Sequence, residues 1–175
     1  MANTQIRSNI ALKNVILTLL SLLLVTLVWI GVMIAFPGRI TLLAGAQPTD
    51  LGIQSGQLAP CPSTPNCVSS QSLDTEHSVE PFTYSSDPEK AFIDIKTVIH
   101  SLDRTKIITE TETYLYAEFT SAIMGFVDDV ELHLDKDAKM IHVRSASRLG
   151  ESDLGVNRKR VETIRNKLNA VQSSI

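Results

Sequence analysis

Between Arg39 and Lys90 the chain contains no lysine or arginine, although Asp50, Asp74, Glu76, Glu80, Asp87 and Glu89 fall in the same stretch. With a net charge of −3 for the whole chain, nothing in this balance supports nucleic-acid binding. Aromatic residues make up only 5% of the 175, which argues against a large aromatic binding surface. Cysteine occurs only as Cys61 and Cys67, and no histidine precedes His77. That is too few ligands for the four-coordinate clusters of structural zinc, so no metal and no cofactor is expected. The strings that mark dinucleotide, nucleoside triphosphate, serine hydrolase and zinc protease sites are missing. Internal repeats and long low-complexity tracts are missing too.

What the chain does have is one long apolar run. Residues 15–36 read VILTLLSLLLVTLVWIGVMIAF without a charge. As a helix this run is roughly 33 Å long, enough for a hydrocarbon core of about 30 Å. Pro37-Gly38 stops it. Arg7 and Lys13 lie before it and only Arg39 follows closely, so residues 1–14 are expected in the cytoplasm, with the remainder exported. The rival reading is a signal peptide cleaved after Ala46, because Ala44-Gly45-Ala46 is a suitable small-residue site. Its h-region is longer than such peptides use, and either reading exports the C-terminal part of the chain. The destination is the periplasm, a thylakoid lumen or an outer face.

Residues 37–57 read as a linker and 58–175 as the exported domain. The most distinctive local string is CPSTPNCVSSQ, residues 61–71. Two nearby cysteines, alone in an exported chain and separated by a Pro- and Asn-containing bend, are expected to form a Cys61–Cys67 disulfide. No local Cys–His arrangement supports a catalytic cysteine, and Pro60 with the distant apolar run argues against lipidation at Cys61.

Asp87-Pro88-Glu89 is a helix start, and the apolar spacing after it predicts a helix over 88–102. Strand patterns follow at 106–110, 114–119, 130–134 and 141–143, the last two joined by a turn at 135–138. A helix is predicted over 154–171, capped by Ser152 or Asp153. The fold class is therefore α+β: a two-layer, four-stranded, mostly antiparallel sheet with two helices on one face, preceded by one transmembrane helix.

Three strings stand in order: CPSTPNCVSSQ at 61–71, GFVDDVE at 125–131 and HVRSASRLGESDLGVNRKRVE at 142–162. Together they resemble the family of exported or membrane-anchored bacterial and plastid proteins catalogued as domain of unknown function 1499, over about residues 58–168. The resemblance implies a shared fold and leaves the activity open.

The candidate site lies in the last two strings. A hairpin that keeps Val130, Leu132, Leu134, Ile141 and Val143 inward sets Glu131 opposite Arg144 and His133 opposite His142. Asp128 and Asp129 precede this face, and Ser147, Arg148, Asp153, Asn157 and Arg158 follow it. Arg148 and Asp153 are expected to tie the hairpin's end to the last helix. One reading is structural, with arginine–carboxylate forks and caps holding the domain. A second is a site for an anionic small molecule or lipid headgroup, a third an active site. The expected class is a membrane-tethered extracytoplasmic binding or structural module, more a non-enzyme than an enzyme. The alternative is a small envelope hydrolase or lipid-modifying enzyme built on the Asp/Arg/Ser cluster. The expected partners are the membrane itself and an anionic lipid or envelope protein. Nucleic acid is not among them.

Overall fold

The computed structural model describes residues 2–36 and 43–173. Part of the predicted linker, residues 37–42, lies outside the described residues. Helix α1 (Ala2–Ala35) contains the apolar run except for Phe36, and within it residues 10–35 are long and apolar enough to cross a membrane. Beyond it the order is β1 (Cys67–Ser69), β2 (Phe82–Thr83), α2 (Pro88–His100), β3 (Thr105–Glu110), β4 (Tyr114–Thr120), β5 (Val127–Asp135), β6 (Met140–Ser147) and α3 (Val156–Ser173).

The sheet is antiparallel throughout, in the order β1-β6-β5-β4-β3, with β2 also paired to β6. The four predicted strands are present as β3 to β6, with β3 forming one edge of the sheet. The correction is at the other edge, where two short strands from the extended arm of residues 58–86 bring the count to six. Cys67 to Ser69 lie along Ala146 to Arg144, and Phe82 and Thr83 along Ile141 and Met140. Strands of three and two residues are too short to show an alternation in sequence. They do, however, cover the backbone edge that β6 would otherwise expose.

Leu115, Ala117, Val130, Leu132, Leu134, Ile141 and Val143 point to one face and meet α2 and α3 in a continuous core. Helix α2 begins as its sequence predicts: Asp87 accepts from the Lys90 N–H at 3.1 Å and Pro88 occupies the first turn. Ala91, Phe92, Ile95, Val98 and Ile99 are its buried stripe. Helix α3 starts two residues later than predicted because Leu154 (φ 54°) and Gly155 (φ 79°) are left-handed, outside helical space. Asp153 bridges this turn, accepting from Gly155 N at 2.9 Å and Asn157 N at 2.7 Å.

Candidate functional site

Because successive strand residues point to opposite faces, the predicted cluster divides. Asp129, Glu131 and Arg144 fall on the face away from the helices, and Arg148 lies just past β6. Residues 43–57, which read as linker, supply a strap to this face: the Gly52 N–H donates to Glu131 Oε1 at 2.7 Å. The fully buried Glu131 also accepts from the Tyr114 hydroxyl at 2.7 Å and from Arg144 Nη1 at 3.3 Å. Cα register sets Glu131 opposite Arg144 and His133 opposite His142.

Next to this pair lies a second one. Arg148 Nε reaches both oxygens of Asp129 at 3.1 and 3.0 Å, and its Nη2 reaches Asp129 Oδ1 at 2.7 Å and Glu118 at 2.6 Å. Tyr116 donates to Asp129 at 2.6 Å and accepts from Arg148 at 2.9 Å. Arg148 therefore does not run to α3 as expected; its partners are on β4 and β5. The Asp129 bonds hold its guanidinium well above the ordinary range, against the opposing effect of burial. Burial, and then hydrogen bonds to Glu131 and Asp129, push the hydroxyls of Tyr114 and Tyr116 well above the usual phenol range. These tyrosines are fixed donors to buried carboxylates.

Asp128, Ser147 and Asn157 belong to the helix face. Asp128 pairs with Arg160, a residue outside the predicted cluster. Arg160 also donates to Asn157 Oδ1 at 2.5 Å and Ser145 Oγ at 3.1 Å. Asn157 is completely buried, with its amide donating to Asn66 O and Ser147 Oγ, both at 2.9 Å. Asn66 in turn donates to Gly150 O at 2.6 Å and accepts through its carbonyl from Ser147 N at 3.0 Å. The sequence carried a signal for Arg160: it sits with Asn157, Val161 and Ile164 at helical spacing, on the edge of the buried stripe.

Arg158 is on neither face of the sheet. It donates to the carbonyls of Ser78 at 2.7 Å and Glu76 at 2.8 Å, while Arg165 reaches Pro81 at 3.0 Å and Glu80 at 2.6 Å. The acidic arm and the basic last helix are thus partners within one molecule. Arg165 also makes a local ion pair with Glu162, at 3.2 Å.

Cys61 and Cys67 are joined, their Cα atoms 5.6 Å apart. His77, in a stretch without sequence pattern, is buried beneath this loop. Nδ1 lies 2.8 Å from Asp74 and Nε2 3.1 Å from the Thr64 carbonyl. Burial lowers its pKa, but the bonds to Thr64 and Asp74 outweigh this and hold the imidazole above its ordinary value. Backbone donation from His77, with further hydrogen bonds, lowers Asp74 to about 2. His133 and His142 stand 6.2 Å apart between ring centroids. Burial and then the neighbouring His142 pull His133 down.

The sheet, its two covering helices and the arm locked to β6 define a small α+β module whose polar residues are cross-braced through the CPSTPNCVSSQ segment. The sequence profile of the DUF1499 family, described as a protein of unknown function, matches residues 57–168, and the chain belongs to that family. A search of curated proteins finds no match.

Proposed function

We propose that the chain is a membrane-tethered extracytoplasmic module that binds or holds a partner at the membrane and performs no chemistry of its own. The observation that carries this reading is the internal engagement of its charged cluster. Arg144 and Arg148 are paired with buried carboxylates, Arg160 with Asp128, and Arg158 with two arm carbonyls. Groups committed to one another in this way support a fold rather than await a substrate. Export is supported by the Cys61–Cys67 bond, since such bridges persist in oxidising compartments. The sided charge of Arg7 and Lys13 against Arg39 supports a cytoplasmic N-terminus. The uncleaved anchor rests on the length of the apolar helix.

Protease treatment of sealed native membranes of known sidedness tests the topology. Protease on the extracytoplasmic side should digest residues 58–175 and leave a membrane-embedded N-terminal fragment. A domain that resists digestion until the membrane is opened overturns the reading. A mature chain starting at Gln47 keeps the export and overturns the tether.

The hydrolase alternative has one observation in its favour. A cavity of about 270 Å³ is lined by Ser121, Asp128, Ser147, Ser152 and Asp153 together with apolar residues. Within it Ser147 Oγ accepts from Asn157 and Asp128 holds Arg160. Covalent labelling of Ser147 by a fluorophosphonate would favour the enzyme.

A further inference from the structure

Ten large apolar side chains beyond residue 36 are exposed among the described residues, and six of them gather at one end of the sheet. Ile123, Met124 and Phe126 are on the β4–β5 loop; Leu149, Leu154 and Val156 are on the β6–α3 connection and the start of α3. Single exposed apolar residues need no explanation, but four that line one cavity, with two more on the loop that carries Phe126, do.

Both loops are held in the conformation that displays them. Ser121 N donates to Phe126 O at 2.8 Å, and Phe126 N to Ser121 Oγ at 2.9 Å, so Ile123 and Met124 cap a closed turn. Leu154 is 94% exposed and left-handed, a conformation costly for a γ-branched residue, and Asp153 and Ser152 brace it. Folding alone does not call for a leucine there, because its side chain packs on almost nothing. An apolar-walled cavity opens between Phe126, Leu149, Leu154 and Val156.

The position of the tether decides what covers this tip. The described chain resumes at residue 43, and Gly45 lies against Arg148 and Leu149, at the same end of the sheet as the apolar loops. Ala44 shares a depression with Arg104, Lys106 and Val127. Six residues separate Phe36 from Leu43. Whatever path they take, seven Cα steps reach at most about 25 Å. A helix seated in a bilayer therefore keeps this end of the domain within about 25 Å of the helix's C-terminal end, nearer the bilayer than the opposite end of the sheet needs to be. The rim adds Arg104, Lys106 and Lys159, all exposed and paired with no carboxylate among the described residues, against Asp103, Glu151 and Asp153.

We infer that the tip formed by Ile123, Met124, Phe126, Leu149, Leu154 and Val156 inserts into the headgroup–acyl boundary of the bilayer that holds α1. The occupant is membrane lipid: acyl methylenes meet the six side chains, and anionic headgroups meet Arg104, Lys106 and Lys159. The inference rests on the tethered reading of the chain and adds an orientation to it. The domain stands on its loops, with the hairpin turn at 135–138 pointing away from the membrane.

The test is spin labelling of the full chain, reconstituted in bilayers of phosphatidylcholine and phosphatidylglycerol. Four single-cysteine additions are compared: Met124→Cys and Leu154→Cys at the tip, Leu73→Cys as a fully exposed site elsewhere, and Leu22→Cys within α1. All four sites are exposed, so the folded domain tolerates the label. Collision with dissolved oxygen relative to a water-soluble nickel chelate should be several-fold higher at 124 and 154 than at 73, and highest at 22. Tip labels as open to nickel as the label at 73, with 22 still shielded, overturn the tip insertion alone. A label at 22 open to nickel overturns the anchor itself, and the tip insertion with it. Tip labels shielded from both reagents and broadened as protein density rises mean that a second copy covers the tip, which also overturns it.

Discussion

His77 shows how much a single residue can hide in an unpatterned segment. Both ring nitrogens face acceptors, the Asp74 carboxylate and the Thr64 carbonyl, which suits the doubly protonated imidazolium. Its pKa is raised in the folded protein, so the folded state binds the proton more tightly than the unfolded one. The resulting stabilisation is fully present below the unfolded value of 6.5 and is lost as pH rises through the higher folded value. Asp74 works the other way: its depressed carboxyl stabilises above the ordinary carboxylate range and loses that effect only as pH falls toward 2. Melting temperature should therefore decline as pH climbs above 6.5, and His77→Gln should flatten that decline. An unchanged slope in the variant would assign the pH dependence to another group. Nothing in the sequence around His77 shows periodicity, and its partners come from the disulfide loop and a turn. No local reading finds such a residue.

At the scale of elements, the β5–β6 hairpin was legible because its alternation admits one register. Leu134 opposite Ile141 buries the apolar set, and Glu131 opposite Arg144 follows from it. The destination of Arg148 was not legible, since its partners Glu118 and Tyr116 lie on β4, about thirty residues back in sequence. The same holds for β1 and β2, which pair only because the arm folds over the edge of β6. Glu131 and Arg144 are both buried, so removing one strands the other charge. Arg144→Ala should cost about 3–5 kcal/mol. Glu131→Ala should cost at least as much, because the Tyr114 hydroxyl and the Gly52 amide lose their acceptor as well. The double variant should lose less than the sum by about 1 kcal/mol or more in a urea-denaturation cycle. Strictly additive losses would show that the two strands are not coupled through these side chains.

For the molecule as a whole, the informative boundary is the start of the domain. The family match begins at residue 57, and composition likewise marks 37–57 as linker, being poor in periodic apolar residues. Yet residues 43–57 contact the sheet face that carries the buried charges: Gly45 lies on Arg148 and the Gly52 N–H is bonded to Glu131. Sheet faces without helices are ordinarily polar because water solvates them. Here the polar side chains are almost fully buried, with Glu131 at 0% and Asp129 at 1% exposure, so part of their burial has to come from something laid over them. A strap serves that purpose with backbone alone. Gly52 adopts φ 110°, where a side chain is strained, and this aims its amide at the carboxylate. If the strap belongs to the fold, a chain beginning at residue 43 should be more stable than one beginning at 58. Losing one hydrogen bond to a buried charge, plus cover over the paired arginines, should lower stability by about 2–3 kcal/mol. For a domain of this size that is a fall in Tm of roughly 5–10 °C. The shorter chain should also show faster amide exchange at Gly52's neighbours on β5, and Glu131→Gln should be less harmful there than in the longer one. Equal melting temperatures for the two chains would return residues 43–57 to the status of a linker that happens to touch the sheet.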